Sequence, residues 1–65
     1  MSMAEVDRLR GIAARHIEDA RHWIAQAEAG HPAALVTAKY HQAVAAQAMD
    51  DARALLATMK DALKP

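Results

Sequence analysis

The segment HIEDARHW carries two imidazoles and two carboxylates within eight residues, at His16, Glu18, Asp19 and His22. Such side chains, spaced three or four apart on a helix, can converge on one metal ion in the core of a helix bundle. Helical projection argues against this here, because His16 and His22 point about 120° apart. We therefore expect Glu18 and His22 to form an exposed ion pair, with Asp19 at the border of the apolar face.

His16 and His41 are the more interesting pair, because both lie near the middle of apolar helix faces. If the chain folds back at Gly30–His31, the two histidines are offset by about five residues, or roughly 7 Å of rise. On this count they could share a metal or a haem only if a second copy of the chain brought them together. The first interpretation is that they are core or interface residues, with no metal and no cofactor. The alternative is that they are ligands.

Covalent catalysis has few candidate residues. The sequence contains no cysteine and one serine, Ser2, and its threonines, Thr37 and Thr58, lie in the second half. It has no glycine-rich loop that would hold a phosphate, and its adjacent carboxylates, Asp50 and Asp51, lie away from the apolar face. A slender helical chain also offers no deep pocket of the kind that enzymes use. The sequence therefore predicts a protein that is not an enzyme.

Composition narrows the class of protein further. Of the 65 residues 54% are hydrophobic, but 18 are alanine, and eight basic residues balance eight acidic ones. A net charge of zero gives no bulk attraction to nucleic acid or to an anionic membrane. No apolar run approaches the roughly 18 residues that a membrane span needs, and no signal-peptide pattern opens the chain. These features predict a cytoplasmic protein whose partners are neither nucleic acid nor membrane.

Two long helices must position these side chains, in a single domain over residues 1–65. Ser2 and Glu5 have the spacing of a capping box, which predicts a first helix over about 3–29. Gly30 can adopt the left-handed conformation that ends a helix, and Pro32 suits the first position of the next. A turn at 30–31 and a second helix over about 32–64 follow. Opposite charges three or four apart indicate a solvated face on helix 1, at Asp7/Arg10, Arg15/Glu18 and Arg15/Asp19.

Alanines recur every seven residues on both helices and define a seam, with Ala13, Ala20 and Ala27 on helix 1 and Ala38, Ala45 and Ala52 on helix 2. Small residues at this spacing let two antiparallel helices approach closely, and leave the larger flanking residues facing outward. The sequence thus predicts an all-α antiparallel two-helix hairpin, which completes a four-helix bundle by dimerisation or by docking on a helical partner. The predicted interface residues are Leu9, Ile12, His16, Trp23, Tyr40, His41, Met49, Leu56 and Met59, and Leu35 and Leu63 also flank the seam.

A further group of residues lies on the face of helix 2 opposite its seam: Val36, Tyr40, Ala43, Gln47 and Ala54. Scattered apolar residues are ordinary on protein surfaces. Tyrosine is also favoured at interfaces, so the group is either ordinary surface or a second contact surface anchored by Tyr40.

The segments AMDDARALLATM (48–59) and YHQ (40–42) carry a resemblance to a known family. They resemble the second helix of the small co-chaperones of type III secretion needle subunits in Gram-negative bacteria. The resemblance implies a helical hairpin with a glycine near its turn, which clasps a helical-repeat chaperone and helps to keep a needle subunit unpolymerised. The stretch HPAAL also resembles the needle subunits themselves.

Together these observations predict a non-enzymatic protein–protein interaction module that associates with itself or with a helical protein partner. The alternative is a homodimeric four-helix bundle that binds a metal or a haem through His16 and His41.

Overall fold

The computed structural model describes residues 3–62, and this part of the chain is all-helical. Helix α1 spans Met3–Glu28 and helix α2 spans Ala34–Ala62, and the two pack against each other as a hairpin. The molecule measures 57 × 14 × 11 Å. Its smallest dimension is about the diameter of a single helix with its side chains, so the hairpin is one layer thick. The predicted hairpin is confirmed; the proposed cap at Ser2 and the end of helix 2 at Leu63 and Lys64 lie outside the described residues.

The end of α1 is a Schellman motif built on Gly30. The Gly30 N–H donates to the carbonyl of Ala27 at 3.2 Å, and the His31 N–H donates to the carbonyl of Gln26 at 3.1 Å. Gly30 has a φ of 109°, in the left-handed region that side chains with a Cβ disfavour. The role predicted for Gly30 is confirmed, and α1 ends at Glu28, one residue before the predicted boundary.

Helix α2 begins two residues later than predicted. The amides of Ala34, Leu35 and Val36 donate to carbonyls three residues earlier, at 2.9, 3.1 and 3.2 Å. This tighter spacing makes a turn of 3₁₀ type through Pro32, which precedes the regular helix. The prediction that α2 starts at Pro32 was therefore wrong, because the proline opens this turn and the α-helix itself begins at Ala34.

The alanine seam forms most of the contact between the two helices. Its buried members are Ala13, Ala20, Ala38, Ala45 and Ala52, as the seven-residue spacing predicts. Ala27, nearest the turn, is only half-buried. Two alanines outside the predicted seam, Ala34 and Ala48, are also buried. The seam extends over nearly the whole hairpin and contains no side chain larger than a methyl group.

Larger side chains pack along two parts of the contact: Ile12 and Met49 lie against Ala13, Ala45 and Ala48, and a second cluster lies at the end remote from the turn. Val6, Leu9 and Ala52 form a buried cluster against which Leu55, Leu56 and Met59 pack; we call these six residues the distal cluster. Val6 is fully buried, at 0% exposure. The prediction that the larger residues flanking the seam face outward was thus wrong for Leu9, which is buried beside Val6. The small side chain of Ala52 leaves room between the helices for these two residues to enter.

The solvated face predicted for helix 1 is confirmed at Asp7, Arg10, Arg15 and Glu18, which are exposed, whereas Asp19 is half-buried. Three ion pairs on the helix surfaces join residues three apart, namely Glu5–Arg8, Glu18–Arg21 and Asp50–Arg53. Arg8 donates a hydrogen bond to Glu5, which lowers the pKa of that carboxyl and raises the pKa of the guanidinium.

Neither helix, over the residues that the structure describes, combines the length and apolarity that a membrane crossing requires.

Candidate functional site

His16 of α1 and His41 of α2 meet across the hairpin. Their Nδ1 atoms are 2.7 Å apart, and their ring centroids are 5.0 Å apart with a tilt of 32° between the planes. The expectation that a second copy is needed to bring these rings together was wrong. That expectation took the axial offset between the two backbone positions as the distance between the rings. The two side chains extend towards each other along the helix axes and span this offset.

The contact between the two rings is a hydrogen bond, since 2.7 Å is within donor–acceptor distance for nitrogen atoms. A neutral imidazole carries a proton on one nitrogen and a lone pair on the other. One of these rings must therefore donate through Nδ1 while the other accepts through Nδ1. A haem ligated by both rings would bind them through Nε2, and its porphyrin plane would have to lie between the two rings. Two rings in direct hydrogen-bond contact leave no space for it, so this arrangement disfavours the haem alternative.

Asp19 completes a group of three metal-ligating side chains. One Oδ atom of Asp19 lies 4.0 Å from Nδ1 of His41, and ligand atoms of His16, Asp19 and His41 all lie within 4.8 Å of one another. We call these three residues the histidine–aspartate cluster. All three are partly buried. Asp19 was predicted to lie only at the border of the apolar face, and its part in the cluster was missed. The spacing of three between His16 and Asp19 was the available signal, because it places both side chains on one side of α1.

Tyr40 flanks the cluster at the surface. Its ring meets His41 edge-on, with centroids 5.2 Å apart and planes at 70°, and meets His16 at 6.5 Å and 81°. Tyr40 is nevertheless 61% exposed, and Val36, one turn earlier, is 73% exposed. The remaining members of the predicted outer face, Ala43, Gln47 and Ala54, are exposed as well. Tyr40 thus borders both the cluster and the outer face of α2.

The predicted ion pair between Glu18 and His22 does not form. Both residues are exposed, as expected. Glu18 instead accepts a hydrogen bond from Nη1 of Arg21 at 3.1 Å. The His22 ring packs against Trp23, with centroids 5.1 Å apart and planes at 74°. The guanidinium of Arg21 lies one turn from Glu18 and is permanently charged, so it is the stronger partner for a carboxylate.

The predicted interface residues fall into three classes of exposure. Leu9 is buried inside the hairpin, and Tyr40 is exposed. The other seven are half-buried: Ile12, His16, Trp23, His41, Met49, Leu56 and Met59. Two large apolar residues that the predicted set omits are more exposed than any of these seven, namely Ile17 at 42% and Leu35 at 45%.

Seven-residue rows explain how these side chains are arranged. A step of seven is nearly two turns, so residues at this spacing line up along one side of a helix. Leu9, His16 and Trp23 form one such row on α1, and His41, Ala48 and Leu55 form one on α2. The contact between His16 and His41 places these rows on the same long face of the hairpin. The opposite long face, which we call the Ile17 face, carries Ile17, Ile24, Leu35, Met49 and Leu56.

Comparison with protein-family models, with curated proteins and with solved structures finds no match to this chain.

Proposed function

We propose that this chain is a non-enzymatic protein–protein interaction module, and that a second copy of the chain covers its Ile17 face to make a four-helix bundle. The single-layer shape of the hairpin carries the proposal. Each helix has one neighbour over a molecule 57 Å long and 11 Å thick. A stable domain normally buries its apolar stripes between two packed layers; residues 3–62 supply one layer, and a second copy of the chain would supply the other.

Burial inside the hairpin supports the need for that second layer. Among the described residues, Val6 is the only large side chain that is fully buried, and the rest of the seam is alanine. Domains of this length bury a small fraction of their surface and usually depend on disulfides, a metal or oligomerisation. The chain has no cysteine, so a disulfide is excluded. Association would convert the half-buried apolar rows into a core.

The Ile17 face is the side that suits a second copy. Ile17 and Leu35 leave more than two fifths of their surface in water. Ile24 follows Ile17 at an interval of seven residues, and Met49 and Leu56 continue the row of Leu35, in which the exposed Gln42 lies between Leu35 and Met49. Residues that repeat at this spacing form the contact in four-helix bundles, where neighbouring helix axes are inclined by only about 20°.

Electrostatics do not oppose self-association on this face. The nearby guanidiniums of Arg21 and Arg53 are already paired with Glu18 and Asp50 of the same chain. The net charge is zero, so two copies carry no overall repulsion. A two-fold axis also lets one patch cover itself on both copies, which is the commonest way in which soluble proteins form dimers.

Oligomeric state in solution tests the proposal directly. Sedimentation equilibrium between about 5 and 500 µM should give a dimer, and the melting temperature should rise with protein concentration, because association stabilises the folded state. Ile17→Glu places a charge in the proposed contact and should give a monomer with a lower melting temperature. Val36→Glu makes the same kind of change at a more exposed position on the outer face of α2, and should leave the dimer intact.

A folded monomer with a concentration-independent melt would refute self-association. Docking on a different helical protein, which the resemblance to secretion co-chaperones implies, would then be the remaining form of the interaction module. A dimer disrupted equally by Ile17→Glu and Val36→Glu would instead show that the Ile17 face was the wrong surface.

A further inference from the structure

We infer that His16, Asp19 and His41 of a single chain form a binding site for one divalent transition-metal ion, for which Zn²⁺ is the best-fitting cation. The site lies on the long face opposite the Ile17 face, so it is separate from the proposed dimer contact.

The donor atoms are close to the positions that a tetrahedral ion requires. Zn²⁺ binds imidazole nitrogen and carboxylate oxygen at about 2.0–2.2 Å, which sets neighbouring ligand atoms about 3.3 Å apart. The two Nδ1 atoms are 2.7 Å apart and must separate by about 0.6 Å, while Asp19 Oδ and His41 Nδ1 are 4.0 Å apart and must approach by a similar amount. Small rotations of three side chains accomplish both changes without moving either helix.

The kinds of ligand select the class of cation. Two imidazoles and one carboxylate suit zinc and its neighbours in the first transition row, whereas Ca²⁺ and Mg²⁺ prefer sites made of oxygen ligands alone. Three protein ligands leave a fourth tetrahedral position for water, as in open zinc sites.

The surroundings of the cluster allow a hydrated ion to reach it. The side chain of Asp19 is about half exposed, whereas that of His41 is mostly buried. The carboxylate therefore lies at the open side of the site, and its distance of 4.0 Å from His41 is beyond hydrogen-bond length. Tyr40 closes one flank with the edge-on contacts that it makes to both rings. In this arrangement the metal replaces one histidine–histidine hydrogen bond by three coordinate bonds.

Calorimetric titration of the full chain with ZnCl₂ tests the site. We expect saturable binding of one Zn²⁺ per chain, and an increase in melting temperature of about 10–20 °C when free Zn²⁺ exceeds the dissociation constant 100-fold. His16→Ala and His41→Ala should each weaken binding by more than the roughly 10–100-fold lost when a hydrogen-bond partner of a metal ligand is removed. Asp19→Asn keeps the shape of a half-exposed side chain, so it should keep the fold and also weaken binding.

The matched control is the double variant His22→Ala/His31→Ala, which removes two exposed histidines outside the cluster and should bind Zn²⁺ as the original chain does. Nitrogen NMR of the imidazoles should show Zn²⁺-dependent shifts at Nδ1 of His16 and His41. Absence of saturation up to about 1 mM Zn²⁺, which is the weak end of the affinity range of protein metal sites, would overturn the inference. So would equal loss of binding in the control, or a stoichiometry of one ion per two chains. Ile17→Glu should leave Zn²⁺ binding unchanged, so this test and the dimer test fail independently.

Discussion

The distal cluster and the histidine–aspartate cluster lie along the same two rows of the hairpin. Leu9 and His16 are seven residues apart on one row of α1, and His41 and Leu55 are fourteen apart on one row of α2. At the distal positions the side chains are aliphatic and pack around the fully buried Val6. Nearer the loop, by about two turns on α1 and four turns on α2, the same rows carry imidazoles that bond to each other. Residue type along one pair of rows therefore decides whether a region packs aliphatic side chains or presents polar groups.

The two clusters differ in what they contribute to folding. Full burial of a leucine side chain stabilises a protein by about 1.5–3 kcal/mol, whereas a hydrogen bond contributes about 0.5–1.5 kcal/mol after its exchange with water. A leucine at position 16 or 41 would therefore serve the fold better than a histidine. Imidazoles in the middle of an otherwise apolar row are needed for a binding site. Packing of the two helices alone does not need them.

The largest effect should come from the distal cluster. Leu9→Ala removes a buried side chain and leaves a cavity, at a cost of about 2–5 kcal/mol. A chain of 65 residues has a total stability of roughly 3–10 kcal/mol, so much of the population should unfold. Val36→Ala, at a position 73% exposed, should stay within about 0.5 kcal/mol of the original chain. Denaturant unfolding followed by circular dichroism measures both variants. Equal values for the two would mean that the distal cluster does not anchor the hairpin.

A smaller effect should come from overfilling the alanine seam near the turn. Ala20→Leu inserts three carbon atoms at a buried position between the helices and should cost about 1–3 kcal/mol, because a packed contact cannot accommodate them without strain. Ala14→Leu makes the same change on the exposed side of α1 and should cost little. Thermal melts at one protein concentration compare the two. If Ala20→Leu is as well tolerated as Ala14→Leu, the helices near the histidine–aspartate cluster are less closely packed than the distal end.

The hairpin and its alanine seam could be predicted because their signals are local in the sequence. Gly30 marks a backbone conformation that few other residues adopt, and Ala13, Ala20, Ala38, Ala45 and Ala52 repeat at an interval that fixes one side of each helix. The start of α2 was misplaced by two residues because the choice between a 3₁₀ turn and an α-helical turn depends on three hydrogen bonds of similar strength.

The histidine–aspartate cluster could be predicted only in part. Helical projection gives the direction of a side chain about its own axis, and it placed His16 and His41 on inward faces correctly. It does not say which residues of two helices meet, or how far long side chains reach along the axes. The burial of Val6 could not be predicted for the same reason, because it depends on its packing against the small Ala52 of the other helix. The Glu18–His22 pair was predicted wrongly for another reason: Arg21 competes for Glu18, and each such pair on a helix surface contributes only about 0.2–0.5 kcal/mol.

The smallest effect concerns the turn, which sets the register that brings His41 against His16. Gly30→Ala forces a side chain into a left-handed conformation with a φ of 109° and should cost about 1–2 kcal/mol, although no neighbouring atom obstructs the new Cβ. Gly11→Ala is the matched control, because Gly11 lies inside α1 with equally open space around it. There the same substitution should stabilise the chain by about 0.5–1 kcal/mol, since alanine loses less backbone entropy in a helix. Chemical denaturation of the two variants should therefore give shifts of opposite sign. Stabilisation by both substitutions would mean that the turn does not require the left-handed conformation, and that the side-chain contacts between α1 and α2 set the register of the histidines by themselves.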